Sequence, residues 1–449
     1  GKYTLLNNSL KLLPTHKWHA KRFHFDPSPW QIKTPDRYAE RSERSTIKAA
    51  CQQCTAHDAS YTRVIELTGL PSSFLHPKHG MFPTGFVFKE GFLSNVTLSN
   101  PRTGNGASSS SSSSSTCPPS TFSSASTVVV DLFCRNVSNS NHTTTANVFV
   151  LVHFSALEDT LSLFQSNLPN DISLYDCSNE IGRVDVCGPN ANKILRQLIV
   201  PVLHRPGLHS SIMLNQILRV ARPSSLPSNL SIEVVVCDPR APNVNSNNVR
   251  NGRHASNEHY VASLFSKKDR IKASTLISAT SDSIHNMKRH EMKQFQEEEE
   301  EQEEGEKNQK DQNTNTTTFT TSSSMSSTTS STTSIPTTSI PTTSSNKRTK
   351  TTLPSSTVAH VPLVLIRLSS NGRHKTLGEG WMILLPRGAV QTFWHALLKD
   401  RHAVIPVGQR HQRAVAVGLG RPSFPYDYPL TATGQSYHNW WCLNRKKKL

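Results

Sequence analysis

Gly378–Leu398, GEGWMILLPRGAVQTFWHALL, decides the fold class. Gly380 and Trp381 open an apolar run that stops at Pro386-Arg387-Gly388, which reads as a strand ending in a turn. Phe393 and Trp394 then begin a helix around Val390–Leu398. The aromatic residues of this stretch read as core. The same order recurs upstream, where Ile181–Cys187 is a strand closed by Gly188-Pro189. Asn190 is placed to cap a helix that buries Ile194, Leu195, Leu198 and Ile199. Around these lie the β-branched and aromatic runs Thr127–Cys134, Asn147–Phe154, Ser231–Cys237 and Val361–Leu368, all expected strands. Ala156–Gln165 has Leu157, Leu161 and Phe164 at helical spacing. Strands alternating with helices across a long insertion imply one α+β domain, its sheet completed by the C-terminal block.

The 449 residues are 35% hydrophobic and 7% aromatic, too polar for one core to run through the whole chain. Two tracts account for this. Residues 99–127 hold eight consecutive serines, Ser108–Ser115. Residues 239–358 are rich in Asn, Ser and Thr, with nine glutamates in Glu291–Glu306 and the repeat TTSIPTTSIPTTS. Both are expected to be disordered insertions, because they bury too little to offset the entropy of ordering. Three blocks remain. Residues 1–98 are expected to form a basic, mainly helical N-terminal region; 128–238 the first part of the α+β core; 359–449 its completion. The chain has no initiator Met, which fits a fragment.

The net charge is +17, and the two end blocks carry +6 and +10 of it. That asymmetry points to an anionic partner met by both ends. No apolar run is long enough to span a bilayer, and the N-terminal residues lack the core of a signal peptide. Eight scattered cysteines make no disulfide framework and suit a reducing compartment.

The densest segment is Thr15–His24, THKWHAKRFH. On a helix, Trp18 and Arg22 form an i,i+4 pair, and Lys17, Lys21 and His24 share a stripe. Cations interleaved with aromatics suit nucleic acid: Lys17, Lys21 and Arg22 neutralise phosphates, while His16, Trp18, His19, Phe23 and His24 stack or hydrogen-bond. The bland alternative is a basic amphipathic helix on a protein or membrane surface. Arg37, Arg41, Arg44 and Lys48 extend the cationic pattern along a second helix. At the other end Arg387, Arg401 and Arg421 define a second basic surface. Arg445–Lys448 (RKKK) is either a nuclear import signal or a solvated end.

Cys51-x-x-Cys54 invites a zinc site completed by His76 and His79, but that spacing is loose. Two half-buried thiols on one helix face are the favoured reading, with no metal expected. Asp238 in VVVCDPR reads as a turn former at a strand exit. No phosphate loop, nucleophile elbow or paired carboxylates stand in a basic setting, so no catalytic residue is assigned and no cofactor is expected.

THKWHAKRFH, the later Asp58-x-Ser60-Tyr61, IGRVDVCGPNANKILRQL (Ile181–Leu198), VVVCDPR, and GEGWMILLPRGAVQTFWHAL followed by RPSFPYDYP occur in one order. In this the chain resembles the Pop-one family, the largest protein subunit of eukaryotic nuclear ribonuclease P and ribonuclease MRP. The C-terminal block looks like that family's POPLD domain. The chain departs from the pattern in lacking the family's upstream Arg-rich segment, in Cys237 where a Gly is usual, and in the long insertions. The resemblance implies a ferredoxin-like, glycine-cleavage T-protein-like α+β fold and a non-catalytic RNA-binding scaffold. It further implies work on precursor tRNA 5′ ends and precursor rRNA, in the nucleus and nucleolus. The partners would be the RNase P/MRP RNA and the other protein subunits, with no membrane. The rivals are a folate-dependent aminomethyltransferase-like enzyme and a basic adaptor for a membrane or acidic protein.

Overall fold

In the computed structural model the described residues are 12–25, 29–30, 32–39, 42–71, 91–98, 128–138, 144–169, 172–202, 208–227, 230–240, 262–279, 360–368, 377–399 and 403–446. The chain begins with α1 (His16–His19), β1 (Phe23–Phe25), β2 (Pro35–Tyr38) and α2 (Glu43–Gln52). Five strands follow: β3 (Thr55–Asp58), β4 (Thr62–Pro71), β5 (Gly91–Leu98), β6 (Val128–Ser138) and β7 (Thr144–His153). Next come α3 (Leu157–Asn167), β8 (Ser173–Asp176), β9 (Ile181–Cys187), α4 (Ala191–Leu198), α5 (Leu208–Ile217) and β10 (Ser231–Cys237). A helix over 267–279, α6, precedes β11 (His360–Leu368) and β12 (Gly380–Pro386). The chain continues through α7 (Val390–Leu397), β13 (Ile405–Pro406), α8 (Gln409–Gly418) and α9 (Ala432–Lys446).

The strands form two large sheets, ordered β10-β11-β12-β9-β3-β13 and β5-β6-β7-β4-β8. The apolar alternation along each strand explains the layering. Val361, Leu363 and Leu365 of β11 and Trp381, Ile383 and Leu385 of β12 face α4, α5, α6 and α7. Val364, Ile366, Met382 and Leu384 point the other way, onto Val64, Phe133, Phe149 and Leu151 of the second sheet. Val128, Val130, Leu132, Val148, Val150 and Val152 on that sheet's far face pack against Leu163 and Phe164 of α3. The order is helices, sheet, sheet, helix. Strands buried on both faces read as the near-continuous apolar runs seen in the sequence.

Two close approaches fix the first sheet. A Cβ at Gly380 would lie 2.2 Å from the Val186 carbonyl, so only glycine lets β12 start against β9. Gly188 ends β9 at φ +126, and a side chain there would meet the Gln53 carbonyl at 2.4 Å.

The α+β class and the completion of the sheet by the C-terminal block hold: β11 and β12 sit between β10 and β9. The N-terminal block differs from its mainly helical expectation. β3 lies in the first sheet and β4 in the second, and Thr15–His24 is one short helix followed by a strand. Its residues Thr55–Asp58 are buried throughout, so pairing with β9 overrides local preference. Asn190 makes no side-chain cap; its Nδ2 reaches the Gln52 carbonyl at 3.5 Å.

The expected disorder of 239–358 fails for residues 262–279. Leu264, Arg270, Ala273 and Ile277 are buried there, with Leu264 against the interface between the sheets. The cause is Arg270, whose guanidinium reaches Glu66 Oε2 on β4 at 3.2 Å and Glu180 Oε2 before β9 at 2.8 Å. It also reaches the Leu264 carbonyl at 2.8 Å. Residues 99–127, 241–261 and 280–359 lie outside the described residues.

Candidate nucleic-acid interface

The N-terminal signature folds onto the C-terminal block through its uncharged residues. His19 is fully buried, with its ring 5.0 Å from Trp394 of α7 and 4.9 Å from Phe23. Trp18 meets Trp394 edge-on at 5.5 Å, and Phe23 packs on Tyr38 of β2 at 5.0 Å. Beneath them runs a hydrogen-bonded chain. The Thr15 hydroxyl donates to Asp58 Oδ2, and Asp58 Oδ1 accepts from the Ser60 N–H at 2.9 Å. Because the Thr15 hydroxyl has one proton, its oxygen accepts from His19 Nδ1 at 2.9 Å, so that nitrogen carries the imidazole hydrogen. Among the described residues Nε2 of His19 and Nε1 of Trp394 have no hydrogen-bond partner. Burial pushes His19 down to about 4, against the opposing pull of Asp58, so it is neutral at pH 7.

Arg387 closes the latch from the other side. It follows β12 directly and donates to the Ser60 carbonyl at 3.1 Å and the Leu12 carbonyl at 3.2 Å. Desolvation lowers its pKa, with Asp58 opposing. Next to it, Tyr61 donates to His57 Nε2 at 3.1 Å while His57 Nδ1 donates to the Val407 carbonyl at 2.9 Å. The two chain ends are thus joined through the β3–β4 turn.

With these groups buried, the cations of the segment face outward. Lys17, Lys21 and His24 are exposed, as are Lys33 and Arg37. His24 and Arg37 are register partners on β1 and β2. Arg44 and Lys48 are exposed one turn apart on α2, whose Ser42 caps the helix by accepting from the Ser45 N–H. Arg410 of α8 pairs with Glu43 on the same helix. Among the described residues Lys17, Lys21, Arg37, Arg44 and Lys48 make no ion pair with an acidic side chain. Such cations are available to phosphate.

The two end segments that meet here are also the ones shared with known proteins. The family model "Ribonucleases P/MRP protein subunit POP1, N-terminal" matches residues 1–70, and the POPLD (NUC188) domain model matches residues 380–448. Curated relatives named Ribonucleases P/MRP protein subunit POP1 align as well. The one from Arabidopsis thaliana is 39% identical over 72 residues, 15% of this chain. The one from Homo sapiens is 36% identical over 78 residues, 17% of this chain. Over these two end segments the chain is similar to the POP1 family.

The aligned stretch spans 8% of the length of each of those POP1 relatives. A solved structure, the glycine cleavage system aminomethyltransferase T from Bartonella henselae, superposes with a TM-score of 0.29 at 15% identity. It covers 41% of this chain and 43% of that one, a likeness too slight to carry any inference.

The expected site residues divide. Lys17, Lys21, His24, Arg37, Arg44 and Lys48 lie on the exposed surface, while Arg41 and Arg401 lie outside the described residues. His19 and Phe23 are corrected: both are core, because the arm packs on Trp394 and Tyr38. His16 is half-buried with its ring 5.2 Å from Phe25, and Trp18 is half-buried with Arg22 stacked 4.6 Å over its ring. Arg387 is likewise corrected, since its guanidinium holds two carbonyls. Arg421 is half-buried beside Cys187, and desolvation lowers its pKa.

The cysteine pair does not share a helix face. Cys51 is half-buried on α2, whereas Cys54 lies beyond the helix and is fully buried, its thiol pushed up to about 12 by desolvation. His76 and His79 lie outside the described residues, among which no group of three or more His, Cys, Asp and Glu converges as a metal site. Asp238 accepts from the Arg240 N–H at 2.9 Å and pairs with its guanidinium, as a strand-exit turn would. Lys33 was missed; it becomes part of the surface only through the long-range bridge between Leu12 and Lys33. Asp58 was noticed only as part of a motif. Nothing local shows that its partner is Thr15, 43 residues away.

Proposed function

We propose that this chain is a non-catalytic, RNA-binding scaffold segment of a nuclear ribonuclease P/MRP ribonucleoprotein, acting with its RNA and other subunits. The observation that carries the reading is the sorting of the N-terminal signature. Its uncharged residues are buried against the C-terminal block, and Lys17, Lys21, Arg37, Arg44 and Lys48 remain outside. Exposed cations without acidic partners bind a polyanion by releasing its counterions. The two POP1-family segments supply the context of precursor tRNA and precursor rRNA processing, in nucleus and nucleolus. Among the described residues no helix is long and apolar enough to cross a membrane.

Binding of a structured RNA across a salt series tests this. The triple variant R37A/R44A/K48A is expected to weaken binding and to lower the salt slope by about 1 per cation removed. An unchanged slope refutes the assigned surface. Saturable binding of a reduced folate without RNA affinity would favour the transferase reading instead.

A further inference from the structure

The far end of the chain carries a feature that the basic N-terminal surface does not use. α9 docks through its first half: Tyr437 stacks on Trp30 at 5.8 Å and meets Tyr426 edge-on at 4.7 Å. The next turn still touches that cluster through Trp440, 6.0 Å from Tyr437. Beyond this Trp441, Cys442, Leu443 and Arg445 are exposed. Trp441 is 43% exposed, the most exposed of the described tryptophans, since Trp381 and Trp394 are buried and Trp18, Trp30 and Trp440 are half-buried. Arg445, one turn on and exposed, lies over the Trp441 ring at 5.0 Å. The sequence continues with Lys446, Lys447 and Lys448.

What marks this site is an exposed indole with a cation beside it, the two parts of a nucleotide contact. The i,i+4 spacing puts the indole and the guanidinium on one helix face, the pairing that binds an unpaired nucleotide: a base stacks on the ring and the cation meets its phosphate. A duplex keeps its base faces stacked and could use the cation alone. An apolar protein groove would match the indole but not the cations beside it. Leu443, 62% exposed, projects from a different side of the helix and is not needed.

We propose that Trp441 and Arg445 form a stacking site for single-stranded RNA, separate from the cationic surface around α2. The site rests on the same RNA-binding reading of the chain and extends it to unpaired nucleotides.

Titrating the full chain with a ten-residue oligouridylate, read by tryptophan fluorescence, tests the proposal; heparin serves as a polyanion without bases. The oligouridylate is expected to quench the exposed indole, and heparin is not. Trp441→Leu is expected to abolish the quench and weaken oligouridylate binding on the order of 10-fold or more. Arg445→Gln is expected to lower the salt slope by about 0.7. Both positions are at the surface, so both variants should fold. Quenching by heparin as strong as by oligouridylate, or unchanged affinity in Trp441→Leu, overturns the proposal. Loss of self-association in Trp441→Leu with no loss of RNA affinity also overturns it, in favour of an apolar contact. Binding of structured RNA but not of oligouridylate sinks this site and leaves the wider reading intact; binding of neither sinks both.

Discussion

Arg270→Met removes a cation that lies wholly inside the protein, and its cost can be worked from the surroundings. The guanidinium is fully buried and holds Glu66 and Glu180 at 3.2 and 2.8 Å. Methionine fills much of the volume but leaves Glu66, 7% exposed, without its counter-charge. Breaking such a pair costs about 3–5 kcal/mol. Glu66 keeps the Cys177 thiol as a donor at 3.3 Å, a weak hydrogen bond that does not replace a cation. Glu180 retains Lys267 at 4.0 Å and adds less. Urea unfolding of Arg270→Met should therefore show a deficit of about 4 kcal/mol at pH 7. Lys268→Met, on the exposed side of the same helix, should be nearly neutral. A deficit at pH 7 no larger than that of Lys268→Met would refute the role given to 262–279.

Two further outcomes are expected. His19, pushed down to about 4, is neutral when folded and takes up a proton near pH 6.5 when unfolded. Its contribution is thus complete above pH 6.5 and falls by up to ~3 kcal/mol as the pH drops towards 4. The urea midpoint of wild type relative to His19→Asn should fall over that window, and a constant difference counts against the assignment. Asp58→Ala strips the acceptor from the Thr15 hydroxyl and the Ser60 N–H, a loss of about 1–3 kcal/mol. Hydrogen exchange across residues 15–23 should speed by on the order of 10-fold while β11 and β12 stay protected; unchanged exchange there means the arm is held by its aromatic contacts alone.

Much of the framework was legible because it is local. Ile181–Cys187 and Ser231–Cys237 are strands over the very residues expected, and the β11, β12 and α7 boundaries fall within a residue or two. Apolar runs bounded by Gly and Pro fix element type without reference to the rest of the chain. Thr55–Asp58 and residues 262–279 were not legible. The first has no β-rich pattern of its own, and the second owes its order to Arg270 finding Glu66, a residue 204 positions away.

The same division governs the functional surface. Composition alone determined that the ends are basic and that Thr15–His24 joins cations to aromatics. Tertiary structure decided which of them face solvent. His19 and Phe23 entered the core because Trp394 and Tyr38, from distant parts of the chain, offered rings to pack on. Arg387 is half-buried with its guanidinium held because two carbonyls lay in reach. Whether a polar or aromatic side chain meets RNA or its own protein is a matter of burial, and burial depends on partners that spacing along the chain does not encode.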